Sequence, residues 1–357
     1  MPSEFDLIRR FFTRPCRNAV LGVGDDAALV RPTPGMELAV STDMLVAGTH
    51  FFPDDDPRKL GGKALAVNLS DMAAMGATPR WATLSLALPE ADEHWLQAFS
   101  EGFFDTARKY SVDLIGGDTT RGPLTLCVQI MGEVTAGMAL RRSGARPGDE
   151  IWVSGHLGDA ALALAHLQGR IKLTPHDAAS CLAALHSPVP RVALGEALAG
   201  LAHSVIDVSD GLLADLAHIL EASRAAADVD FAALPVSSAL RAHLHGEVAR
   251  SCLLAGGDDY ELCFTAPPSR HEEVIALSRL LDLPLMPIGT IREGEGVRLL
   301  DAQGKEMPIG ARGFDHFSKG KSRVATPCPP LPVPARGIPA ESGSKAARSG
   351  ETGEGKG

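Results

Sequence analysis

Aspartate recurs along this chain, in most instances where an apolar run ends in Gly, Ser or Thr. The instances are Gly22-Val23-Gly24-Asp25-Asp26-Ala27-Ala28, Ser41-Thr42-Asp43, Asp71 after Asn68-Leu69-Ser70, Gly117-Asp118, Asp207-Val208-Ser209-Asp210-Gly211 and Gly256-Gly257-Asp258-Asp259-Tyr260. Glycine turns a backbone through positive φ, and Asp and Ser favour such turns. Carboxylates gathered in one cleft repel one another and resist ionisation unless divalent cations neutralise them. Hard oxygen donors suit Mg²⁺, which keeps water and substrate phosphates in its shell. The repetition points toward a multi-metal phosphate site, although spacing in sequence does not itself gather the groups in space. Taken singly, Asp25-Asp26 also reads as a solvated turn, and Asp207–Asp210 ahead of Gly211-Leu212-Leu213 as a helix cap. Asp71 fits a plain structural reading less well, because Val67, Met72 and Met75 make its helix apolar.

Other nucleotide chemistries fit poorly. Gly22-Val23-Gly24-Asp25-Asp26-Ala27 matches a loose dinucleotide fingerprint, but two aspartates would repel a bare pyrophosphate, and Pro32 and Pro34 cut short the helix that motif needs. There is no G-x-x-x-x-G-K-[ST] loop and no protein-kinase set. The six cysteines form no C-x-x-C pair or zinc spacing, and several lie in apolar runs, which predicts buried, reduced thiols.

The elements that must position these aspartates can be read from the pattern. Residues 5–12 place Phe5, Ile8, Phe11 and Phe12 at helical spacing. Strands are expected at 19–21, at 27–30, at 37–42 running into Asp43, at 81–88, at 114–115 running into the Gly116-Gly117-Asp118 turn, and at 124–134. Asp56 before Pro57 starts a helix that runs through 59–74 and stops at Gly76, and Asp92 caps a second reaching Tyr110. Polar turns at 137–150 mark a domain boundary. Beyond it, strands at 150–153, 204–207, 260–265, 285–289 and 297–300 alternate with helices at 158–168, 176–185, 191–202, 211–225 and 268–281. The fold class is α/β (α+β) in two domains. The 357 residues carry a net charge of −10, divided as +4 from Lys319 onward and −14 before it. An acidic body argues against nucleic acid as a partner. No apolar run is long enough to span a bilayer and the first residues lack a leader pattern, so a cytoplasmic protein with no membrane partner is expected. Residues 319–357, with six prolines between 327 and 339, read as a disordered tail.

Taken in order, these motifs, with Ala47-Gly48-Thr49-His50-Phe51, the 63–76 helix, Gly116 to Gly122, Arg142-Ser143-Gly144 and the 206–215 and 256–264 segments, resemble the thiamine-monophosphate kinases across residues 4–318. The wider superfamily includes aminoimidazole ribonucleotide and selenophosphate synthetases, and a synthetase of that type is the alternative reading. The resemblance implies ATP-dependent phosphorylation of thiamine monophosphate to thiamine diphosphate, the last step in making that cofactor, by direct transfer with no covalent nucleophile. It implies an N-terminal domain, 1–136, whose mixed sheet closes a barrel across a homodimer, and a C-terminal α/β domain, 148–318. By matching motifs, Asp26, Ser41, Thr42, Asp43, Asp71, Asp118, Asp207 and Asp210 hold several Mg²⁺ ions. Gly117, Asp118, Arg142 and Ser209 contact ATP, and His50, Asp258 and Phe314 take the substrate. Two positions depart from the family pattern: Asp258 stands where Glu is usual, and Phe314 where the aromatic is often Trp or Tyr.

Overall fold

The computed structural model describes residues 3–310. Its first half lays a four-stranded sheet beneath two helices. Helix α1 (Glu4–Leu7), capped by Ser3, passes into a π-helical turn, Ile8–Phe12, that buries Phe11 and Phe12 but leaves Phe5 exposed. Strands β1 (Ala19–Leu21) and β2 (Leu29–Val30) flank the first Gly/Asp loop. Then come β3 (Met36–Val46), α2 (Pro57–Ala74), β4 (Thr78–Leu88), α3 (Glu93–Lys109), β5 (Asp113–Arg121) and β6 (Thr125–Thr135). The sheet order is β3-β6-β4-β5, with β4 and β5 parallel and the other pairs antiparallel.

The second half opens with β7 (Glu150–Ser154), α4 (Asp159–Leu167), α5 (Pro175–His186) and α6 (Val192–Leu198). It continues through β8 (Ser204–Val208), α7 (Leu212–Ser223), β9 (Ala226–Asp230), α8 (Ser238–His243), α9 (Glu247–Ala255) and β10 (Glu261–Ala266). Helix α10 (His271–Leu281), β11 (Leu285–Arg292), β12 (Gly296–Leu300) and β13 (Glu306–Met307) complete it. The seven strands run β13-β12-β9-β11-β7-β10-β8. Every residue of β8 and β10 is buried, including the polar Ser204, Asp207, Glu261 and Thr265, each of which has a hydrogen-bond partner.

Helix α2 joins the two halves. Asp56 accepts the Arg58 N–H at 2.8 Å and Pro57 occupies the first turn, as the sequence predicts. The helix has almost no amphipathic stripe, because twelve of its eighteen residues are buried, including Lys63, Asn68 and Ser70. A helix enclosed on all sides must satisfy its polar groups within the protein, and those groups lead directly to the site.

Several expectations need correction. The strand expected to stop at Thr42 continues through Asp43 to Val46, and Gly116–Thr120 is the body of β5 rather than a turn. Strands β9 and β13 and helices α8 and α9 were not anticipated. Phe314 and the 319–357 tail lie outside the described residues. Among the described residues the five cysteines are free, and no helix is long and apolar enough to cross a membrane.

Candidate active site

Along β3 side chains alternate between faces, so Ser41 and Asp43 share the side that meets α2 while Thr42 points to the opposite side. The Ser41 hydroxyl donates to Asp71 Oδ2 on α2 at 2.6 Å. Asn68, one turn earlier, accepts the Asp43 backbone N–H at 3.1 Å and steadies itself by donating to the Ala64 carbonyl. From the same helix the Ser70 hydroxyl reaches across to Asp207 Oδ2, 2.8 Å away at the end of β8. One helix thereby gathers carboxylates from both sheets.

The result is a cavity of about 590 Å³ lined by Asp43, Asp71, Asp207, Ser209 and Asp210, with Thr49, His50 and Tyr260 on its wall. Burial pushes the Asp43 carboxyl up to about 7, and repulsion from Asp71, Asp207 and Asp210 adds to it. Burial likewise raises Asp207 to about 7, reinforced by Asp71 and opposed by the Ser70 hydroxyl. Asp71 is also raised by burial, against the Ser41 hydrogen bond and the nearby Arg142 charge. Oxygen donors that repel one another in a low-dielectric cleft fit a hard divalent cation. Among the described residues no group of three or more His, Cys, Asp and Glu side chains is drawn together closely enough to hold a metal ion by itself. Water and ligand oxygens would have to complete the coordination.

His50 lies between this cavity and a tighter one. Its Nδ1 accepts the Val46 N–H at 2.9 Å, which makes Nε2 the protonated nitrogen of the neutral ring. The tighter space is bordered by His50, Phe51, Phe52, His186, Lys63 and Asp258. Asp258 is 6% exposed and receives Lys63 Nζ at 3.4 Å and the Tyr260 hydroxyl at 3.1 Å. Asp258 and Tyr260 hold φ of 72° and 50°, a backbone that costs non-glycine residues energy and is concentrated at functional sites. The adjacent Asp259 has a different task, accepting the Gly158 N–H with both oxygens at 2.9 Å where α4 begins.

The remaining sequence-predicted residues lie elsewhere. Asp26, Gly117 and Asp118 line a separate cavity of about 830 Å³ with Thr83, Leu84 and Thr119. Gly117 has φ +146°, and a Cβ there would stand 1.9 Å from the Leu84 carbonyl oxygen, so the strand tolerates only glycine. Strand order explains the separation. Asp43 is aligned with Val128, Leu84 and Gly117 across the sheet, and Asp118 belongs to the next row. Three strand spacings put Asp43 and Asp118 about 14 Å apart, on opposite edges. Sequence reasoning overlooked Lys63 and Asn68 as site residues; their polarity inside an otherwise apolar helix was the available signal.

Comparison with known proteins agrees with this architecture. Residues 24–134 match the family model for the AIR synthase related protein N-terminal domain, and 146–302 that for its C-terminal domain. The thiamine-monophosphate kinase of Escherichia coli K12 is 48% identical over 321 residues, 88% of this chain and 98% of its own length. The crystal structure of thiamine-monophosphate kinase from Stenotrophomonas maltophilia K279a superposes with TM-score 0.75 at 51% identity, covering 79% of this chain and 91% of that one. AaThiL complexed with AMPPCP and TMP superposes with TM-score 0.70 at 31% identity, covering 83% and 92%.

Proposed function

The chain belongs to the thiamine-monophosphate kinase family, and from that premise we propose that it transfers the γ-phosphoryl group of ATP to thiamine monophosphate. The observation that carries the reading is the single cavity where Asp43, Asp71, Asp207 and Asp210 converge beside His50. A relative of the same fold was solved with AMPPCP and TMP, a nucleotide analogue and an acceptor together.

In this reading the buried carboxylates, with Asp26, Ser41, Thr42 and Asp118, hold Mg²⁺. A metal ion held by these residues would supply the charge neutralisation that two phosphate anions need in order to approach. Ser41 and Asn68 keep Asp71 and Asp43 oriented before substrate arrives. Thr42 would contribute through its backbone oxygen, since its side chain is on the far face. Arg142, close enough to Asp71 to affect its charge, offers a planar fork to a phosphate. Gly117, on the wall of the second cavity, is assigned to the nucleotide by family pattern, as is Ser209, which lines the first. His50 and Asp258 bound the acceptor end, with Phe314 assigned there by family pattern. The attacking atom is already a phosphate oxygen, so the chain needs neither a covalent nucleophile nor a strong base.

We also propose a homodimer. Leu38, Val40 and Met44 alternate along β3 on the face away from α2 and are 42%, 54% and 55% exposed. Apolar surface of that kind on an eleven-residue edge strand calls for a partner. Closing two such sheets into a barrel would carry the Asp118 edge of one copy toward the Asp43 edge of the other. The 1–136 and 148–318 domains of this proposal each contain one of the two large sheets, apart from residues beyond 310.

Incubation with ATP, Mg²⁺ and thiamine monophosphate should yield thiamine diphosphate and ADP in equal amounts, read by chromatography. No diphosphate, with ADP released on another acceptor, would replace this reading with the synthetase type.

A further inference from the structure

Three consecutive backbone N–H groups, those of Ser209, Asp210 and Gly211, converge on one oxygen. That oxygen is Asp215 Oδ2, at 3.0, 3.0 and 3.1 Å. The carboxylate is 3% exposed and stands on the first turn of α7. Successive amides folded around an anion form a nest, a rigid local arrangement. Gly211 fits the turn with φ +114°, where a Cβ would lie 2.6 Å from the Ala255 carbonyl carbon. The loop also supports the 256–260 segment. Its Val208 and Ser209 carbonyls accept the Tyr260 and Asp258 N–H groups at 2.8 and 2.9 Å.

We propose that Asp215 is the positioning residue of the cleft. It fixes the 207–211 loop from behind, and through that loop it sets both the cavity-facing groups and the backbone of Asp258. Because its oxygen takes up the loop's amides, the Ser209 and Asp210 side chains remain on the cavity wall. Asp258, held in its strained backbone by the Ser209 carbonyl, shares the same anchor. This assignment rests on the phosphoryl-transfer reading for what the cleft does, and on the hydrogen bonds alone for how the cleft is held.

The test compares the full-length protein with Asp215→Ala, Asp215→Asn and, as a control for mere destabilisation of α7, Ile219→Ala. Each is titrated with Mg²⁺ at fixed ATP, then with thiamine monophosphate at fixed Mg²⁺–ATP, and melted. Asp215→Ala should raise the half-saturating Mg²⁺ concentration about tenfold, as loss of an outer-shell partner does, and raise KM for thiamine monophosphate with it. Asp215→Asn keeps an accepting oxygen and should remain near wild type. Ile219→Ala should lower the melting temperature and move neither constant. Wild-type constants in a less stable Asp215→Ala protein would overturn the proposal. Calorimetric titration with Mg²⁺–ATP requires no turnover, so a wild type inert toward thiamine monophosphate would remove the kinase reading while this series still decides the role of Asp215. Should Asp215→Ala not fold, Asp215→Glu, whose longer arm displaces the oxygen, carries the same expectation.

Discussion

Asp43 is held by its backbone rather than its carboxylate: the Asn68 side chain fixes the peptide, and the acid faces Asp71, Asp207 and Asp210. Asn is isosteric there and removes one of the repelling charges. Asp43→Asn should therefore lower turnover by about a hundredfold or more, the scale on which losing one electrostatic contact acts. Without Mg²⁺ its melting temperature should match or exceed wild type, the exchange of stability for activity common at such sites. Wild-type turnover would take Asp43 out of the metal set. The identity of most of these acids was legible in the sequence because each ends an apolar run. Their partners were not. Nothing in the spacing states that Lys63 meets Asp258 across 195 residues, or that Asp215 collects the amides of its own loop.

Strands and helices were legible where a cap or a run of apolar residues marked them, as Asp56-Pro57 and Asp92 did for α2 and α3. They were lost where local chemistry conflicted with tertiary context. Gly116-Gly117 reads as a turn, yet the approach of β4 makes glycine the residue a strand needs there. The helix expected over 211–225 stops at Ser223, because Arg224 adopts φ 53° and ends α7, freeing the next residues for β9. One tie between elements yields a pH prediction. Glu133 on β6 is 2% exposed; burial alone would raise its carboxyl. The Thr33 N–H and hydroxyl and the Arg80 guanidinium, the last two at 3.0 Å, outweigh that and hold it below the ordinary glutamate range. A carboxyl lowered in the folded state contributes stability above the unfolded pKa and loses it as pH falls through the folded one. Melting curves of wild type and Glu133→Gln should thus differ at pH 7, wild type being the more stable, and converge below about pH 4. A difference constant with pH would assign the effect to packing.

At the scale of the molecule, the alternation of strands and helices pointed to an α/β fold, whereas the separation of about 14 Å between the Asp43 and Asp118 edges follows from strand order, which no single strand reveals. That separation is what a second copy would remedy. Val40→Lys, on the exposed face of β3 and away from the cavity, should give a monomer by light scattering and reduce phosphoryl transfer at least about tenfold, since a charge on an apolar interface is strongly disfavoured. A dimer of normal activity would place the interface elsewhere. Helix α2 also bears on the order of assembly. Ser70 finds its acceptor 137 residues later in the chain and Lys63 finds its own 195 residues later. Closing loops of that length is slow relative to forming a helix or a hairpin. Asn68 and Asp71 have partners that precede them in the chain, whereas Ser70 and Lys63 are matched only once Asp207 and Asp258 have been made. The cleft is therefore complete only when segments from both halves of the chain, up to Tyr260, are in place, so catalytic competence serves as a report that the two halves have met.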